Sequence, residues 1–169
     1  MVSRFKNLIL KKYIDLRLKW YKDNSPSLEV PSSLRNVKHL LLMVPPKKDK
    51  LEAPMREFTS RLHEIFNNVK VSTFKKTSFR PIDGNWFGLP KKDYLDKFHQ
   101  EKFDLIIDLN QQQDRLCTYI CALSGATLRL NFATGRYDHI YNFHIRTNEE
   151  QEVIVRLEKI LSYLHSFVK

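Results

Sequence analysis

Glycine is scarce in this chain, with four among 169 residues, and none is placed to build a phosphate cradle. Neither G-x-G-x-x-G nor G-x-x-x-x-G-K-[ST] occurs, so the backbone turns that wrap a pyrophosphate are missing and the dinucleotide and P-loop classes fall away. There is likewise no G-x-S-x-G elbow and no H-E-x-x-H helix. Cysteine is nearly absent too: only Cys117 and Cys121 occur, which excludes a disulfide framework. Four residues apart, they share a helical face, but no nearby His, Cys or acid cluster completes a tetrahedral metal set. They read as small buried thiols in a reducing compartment, with no metal and no cofactor implied. Long apolar runs are lacking as well. Nothing reaches the roughly 18 apolar residues that span a bilayer, and residues 1–21 lack the uninterrupted core of a signal peptide. The expectation is a cytoplasmic protein, at most peripheral at the inner membrane.

What the chain does have is positive charge in one place. Residues 1–50 hold 12 Lys/Arg against 4 Asp/Glu, whereas the remainder is nearly balanced at 17 against 15. The net charge of +10 therefore belongs mainly to the N-terminal part. Anionic lipid, RNA or an acidic protein surface is attracted by such a local field. Within residues 1–23, Val2, Phe5, Ile9, Tyr13, Leu16 and Trp20 recur every three or four positions and form one stripe of a helix, with Arg4, Lys11, Lys12, Asp15 and Lys19 opposite. Leu10, Ile14, Leu18 and Tyr21 widen the apolar side beyond what a helix loose in water shows, so the helix must cover something. Membrane interface, partner protein and its own domain all fit, with RNA behind them for want of a nucleic-acid module pattern. The candidate interaction residues are Phe5, Ile9, Lys11, Lys12, Tyr13, Leu16 and Trp20. Prolines and serines then make residues 24–36 a linker.

Residues 37–169 read as one α/β domain of ordinary size. The segment from Phe103 to Phe132 carries a strand, a polar turn, an amphipathic helix and a second strand. Leu105-Ile106-Ile107 is apolar on consecutive positions, as a parallel strand covered on both faces requires. Upstream, a strand over 37–44 ends at Pro45-Pro46, a helix runs from about 51 to 67, a second strand covers 69–74, and a short helix lies near 93–99. Asn110, with Gln113 three residues on, is placed to cap the next helix, which Gly125 ends. A fourth strand spans 128–132 and a fifth 139–145. The last helix is expected to open on the T-x-x-E box at Thr147 and to bury Val153, Leu157, Ile160, Leu164 and Phe167. Alternation of this kind predicts a single Rossmann-like domain: a mostly parallel sheet of about five strands with helices on both faces, preceded by the basic helix.

A ligand of such a sheet sits beyond the carboxyl ends of the strands. The polar and basic residues that gather there are Asp49, Arg80, Asp108, Asn110, Gln111 and Arg136, the candidate cleft. Asp108 interrupts an apolar strand, and either faces a cleft or accepts hydrogen bonds from a neighbouring loop; buried acids are ordinarily satisfied in the second way. His139 and His144, five apart, cannot share one strand face. Trp86 and Phe87 either stack on a ring, helped by Lys75, Lys76 and Arg80, or close over the core as a lid, the commoner use of loop aromatics.

The stretch FDLIIDLNQQQDRLCTYICALSGATLRLNF resembles the strand–helix–strand in the N-terminal half of heptosyltransferase-like glycosyltransferases, with its F/Y-D-x-x-I-D-L and L-S-G-A-x-x-R-x-x-F elements. LLLMVPPKKDKLEAPMREFTSRLHEIF is similar to that family's first strand and helix. The family's Gly-Asp pair is replaced here by Lys48-Asp49. The resemblance implies one half of a two-domain enzyme whose other half holds the sugar nucleotide, so this half alone should not transfer sugar. A second resemblance covers nearly the whole chain. The basic helix, Asn85-Trp86-Phe87-Gly88, F-D-x-x-I-D-L and Ala122-Leu123-Ser124 resemble a family of short bacterial proteins of unknown function. Together these readings suggest a non-enzymatic binding module tethered by its N-terminal helix to a partner protein or inner membrane surface. The alternatives are a glycosyltransferase acceptor half that works with a separate donor-binding chain, and an RNA- or ribosome-associated protein.

Overall fold

In a computed structural model, residues 9, 12–16, 30–45, 52–146 and 151–169 are described. The helical residues at 9 and 12–16 precede α1 (Val30–Arg35), β1 (His39–Val44), α2 (Glu52–Ile65), β2 (Lys70–Lys75), α3 (Lys92–Glu101), β3 (Leu105–Asp108), α4 (Arg115–Leu123), β4 (Leu128–Asn131), β5 (Phe143–His144) and α5 (Val153–Val168). The five strands form one sheet in the order β2-β1-β3-β4-β5, and every neighbouring pair is parallel. This is a Rossmann-like α/β domain. The chain moves outward from β1 to β2, then returns past β1 to β3, so the winding reverses at β1.

Side chains on successive strand residues point to opposite faces, and the two cores follow from that alternation. Leu40 and Leu42 of β1, with Leu105 and Ile107 of β3 and Leu128 and Leu130 of β4, pack under Leu34, Phe58, Leu62, Leu157 and Ile160, which places α1, α2 and α5 on one face. Leu41, Met43 and Ile106 meet Ile14, Leu95, Leu116, Ile120 and Tyr141 on the other, beneath α3, α4 and the N-terminal helical residues. The continuous apolar runs of β1 and β3 are thus explained: neither face sees water.

Four expectations are corrected. Residues 30–35 are helical rather than linker, because Pro31 falls in the first turn, where its missing amide costs nothing. The helix after β3 starts at Arg115 and is capped by Asp114, whose Oδ1 accepts from the amides of Leu116 at 3.0 Å and Cys117 at 3.2 Å. Asn110 does not cap it, since its side chain is held by Asp108. The fifth strand shrinks to Phe143–His144 because Asp138–Ile140 winds into a 3₁₀ turn. Finally, α5 begins at Val153, behind Glu152, with no side-chain cap. The T-x-x-E box at 147–150 lies outside the described residues, as do Phe5, Lys11, Trp20 and Asp49.

Both ends of α4 are fixed locally. Gly125, at φ 79°, takes the left-handed conformation that ends the helix, and the Ser124 hydroxyl accepts from the amide of Ala126. In α5 the residues that turn inward are Leu157, Ile160, Leu161 and Leu164, joined by Arg156, which is 1% exposed with its guanidinium 4.1 Å from the centre of the Phe132 ring.

Candidate functional site

The carboxyl end of the sheet is polar on the α4 side. In register across three strands stand Asp108 of β3, Asn131 of β4 and His144 of β5. Asp108 is 2% exposed, and both its oxygens are engaged. Oδ1 accepts from the backbone amide of Asn110 at 3.0 Å and from its Nδ2 at 2.7 Å. Oδ2 accepts from the Tyr141 hydroxyl at 2.6 Å, and that hydroxyl lies 3.2 Å from Thr118 Oγ1. Burial pushes the Asp108 carboxyl above the ordinary range, against the pull of the Tyr141 and Asn110 donors. The same burial, with Asp108 beside it, drives the Tyr141 phenol far above its usual value. Next in the row, Asn131 binds His144 Nδ1 at 2.7 Å through Oδ1 and donates from Nδ2 to the Ala133 carbonyl at 2.9 Å. Half-buried His144 is held below its ordinary pKa first by burial and then by the Arg146 charge. Both Asp108 oxygens and the Asn131 amide are thus taken by internal partners, in two hydrogen-bonded sets suited to positioning loops rather than to moving a substrate's proton.

Among the described residues, the remaining cleft candidates other than Asn110 do not converge on Asp108. Asn110 belongs to its network, whereas Gln111 is exposed. Arg80 pairs with Asp83 in its own loop, 2.9 Å from Nε to Oδ2. Arg136 pairs with Asp15 of the N-terminal helical residues and lies over the Tyr137 ring. The residues that sequence reasoning missed are Tyr141, Asn131 and Thr118, and Gln113, expected to help cap the helix after β3, turns instead to the 137–138 turn. Gln113 is a loop clamp: its Nε2 donates to Asp138 Oδ1 at 2.6 Å and its Oε1 accepts from the amide of Tyr137 at 2.8 Å. The sequence signalled only Tyr141, through the requirement that a buried Asp108 find donors.

The N-terminal helical residues are two-sided. Ile14 is fully buried in the α4-side core, whereas Ile9 is 40% exposed, Tyr13 42% and Leu16 72%. Ile9, Lys12, Tyr13 and Leu16 stand at i, i+3, i+4 and i+7, one outward stripe of a helix. The described members of the expected stripe, Ile9, Tyr13 and Leu16, therefore face out, and among the described residues of this segment the docking side chain is Ile14, which had seemed only to widen the stripe. Tyr13 lies parallel to Phe87, with centroids 6.4 Å apart, and Phe87 touches Trp86 at 5.1 Å. Phe87 packs on the core as a lid would, whereas Trp86 is 73% exposed.

Both thiols are buried, and burial, followed by the charge of Asp108, raises Cys117 far above its usual pKa. Among the described residues no three His, Cys, Asp or Glu side chains come together as a metal site, and no helix is long and apolar enough to cross a membrane.

A five-stranded parallel sheet wound on both faces, with a satisfied polar row where its strands end and no nucleotide cradle in the sequence, defines a compact Rossmann-like α/β domain. The chain belongs to a family of unknown function, DUF6913, whose model matches residues 6–167. No curated protein matches the sequence.

Proposed function

We propose that the protein is a non-catalytic α/β binding module that attaches through its N-terminal helix to an anionic partner surface, either an acidic protein or the inner face of a membrane. The observation that carries this reading is the two-sided helix: Ile14 anchors it on the domain while Ile9, Lys12, Tyr13 and Leu16 stay presented to the outside, beside exposed Trp86. A helix that only covered its own core would bury its stripe. The basic N-terminal part adds an attractive field for a negatively charged surface. The commitment of both Asp108 oxygens to internal donors supports a module without catalysis.

The test leaves Ile14 untouched, so that the fold is kept. Wild type and a double variant, Lys12→Glu with Leu16→Glu, are compared in pull-downs and in co-sedimentation with phosphatidylglycerol vesicles, each at low and high salt. Loss of association in the variant, together with weakening by salt in the wild type, is the expected result. Equal association by both proteins would refute the assignment.

A further inference from the structure

Adjoining the exposed stripe through Phe87, which lies parallel to Tyr13, a crevice of about 520 Å³ opens where the strands end, lined by Lys76, Phe79, Phe87, Leu89, Arg115 and Leu116. Its walls come from the two elements that flank β1. Lys76 follows β2 directly, and Arg115 opens α4 after β3, so the crevice straddles the point where the winding reverses. Open α/β sheets bind ligands there, because the loops on either side of the reversal diverge and leave room. Gly88, on the rim at φ 76°, has open space where a Cβ would stand.

The chemistry of the lining is two-part. Phe79 and Phe87 are partly buried rings, and Leu89, only 2% exposed, adds an apolar surface. Arg115 makes no ion pair among the described residues, so its guanidinium keeps its planar set of donors. Lys76 gives one N–H to Asp114 Oδ2 at 2.5 Å, which leaves two more on the ammonium. Asp114 is the opposing charge. Burial pushes its carboxyl up, but the Lys76 ammonium and the amides of Cys117 and Leu116 outweigh that and hold it below the ordinary range, ionised and fully engaged. Two cations against one occupied carboxylate leave a positive site beside aromatic walls.

We propose that this crevice binds a small flat anion, an aromatic ring carrying a carboxylate or phosphate, with the ring against Phe79 and Phe87 and the charge on Arg115 and Lys76. Bidentate pairing with a planar carboxylate or a phosphate is what a guanidinium offers and a lone ammonium does not. The apolar walls select the ring, since a bare anion gains nothing from them.

The experiment is a titration of the isotope-labelled full chain, followed through its backbone amide resonances, with phenyl phosphate, benzoate, inorganic phosphate and phenol. Saturable shifts at residues 76, 87–89 and 115–116 are expected with phenyl phosphate or benzoate, and the stronger of the two identifies the anionic group. Inorganic phosphate and phenol should each bind more weakly than the better aromatic anion. Arg115→Gln should weaken binding about tenfold, the loss of one charge-assisted contact, and Arg115→Lys should recover only part of it. No saturable shift with either aromatic anion would overturn the proposal. So would full affinity in Arg115→Gln, or inorganic phosphate binding as tightly as the ring-bearing anions.

Discussion

The Tyr141 hydroxyl donates to Asp108 Oδ2 at 2.6 Å inside the core, joining the end of β3 to the loop that leads into β5. Because burial raises the Asp108 carboxyl, the folded state holds this proton more tightly than the unfolded chain does. Its contribution to stability is therefore complete in acid and is lost as pH rises through the folded pKa. Asp108→Asn should flatten that part of the pH profile, since the amide keeps Oδ1 for Asn110 while Tyr141 can turn its hydroxyl toward Thr118. Tyr141→Phe should do the opposite, removing a donor that lowers the Asp108 pKa and costing about 1–3 kcal/mol at neutral pH. Urea unfolding of the three proteins across the acid-to-neutral range measures both effects.

At the other end of the same strand, Asp104 Oδ2 accepts from the amides of Lys38 at 2.8 Å and His39 at 2.9 Å, which ties the entry of β1 to that of β3. Asp104→Ala strands both donors. A loss of about 1–2 kcal/mol is expected, with faster hydrogen exchange at the amides of residues 38 and 39.

Gly135 is required by its neighbour. A Cβ there would stand 2.5 Å from Gln113 Oε1, so Gly135→Ala should push the Gln113 side chain out of its clamp on Tyr137 and Asp138. Gln113→Ala breaks the same clamp. The two losses, each about 1 kcal/mol in thermal unfolding, should fail to add in the double variant.

The two faces of the N-terminal helix differ in what truncation costs. Ile14→Ala opens a cavity in the core and should destabilise the domain by about 2–4 kcal/mol. Leu16→Ala, on the exposed stripe, should stay within about 0.5 kcal/mol of wild type. Equilibrium unfolding of the pair separates a docked helix from a detached one.

Cys117 and Cys121 should resist a thiol reagent in the native protein and react promptly once it is unfolded, because both are buried and raised above their ordinary pKa. Rapid native labelling would show that the α4 side opens readily.

The layers of this fold were legible wherever burial on both faces leaves consecutive apolar residues, as in Leu40-Leu41-Leu42 and Leu105-Ile106-Ile107. Such runs specify covered parallel strands directly. Side-chain competition was not legible. Asn110 and Asp114 are both good helix caps, and the choice fell to Asp114 because Asp108 captures Asn110 from the preceding strand. A fifth strand was expected over 139–145, but the buried guanidinium of Arg129 takes the Ile140 carbonyl at 2.7 Å, and the chain turns there instead. For the polar row, Asp108 could be singled out as an acid in an apolar strand, while its partner Tyr141 lies 33 positions away and becomes a neighbour only through the β3–β4–β5 register. Arg80 and Arg136 pointed to a cleft by charge alone, and each is drawn instead to a nearby aspartate.

The sheet's two borders differ from its interior. On one side runs β2, with Lys70, Thr73 and Lys75 exposed; on the other, β5 is two residues long. A foreign strand arriving at either margin would meet ammonium groups or too little backbone to zip onto. Fibril-like growth by edge-to-edge stacking at these two strands is thereby discouraged.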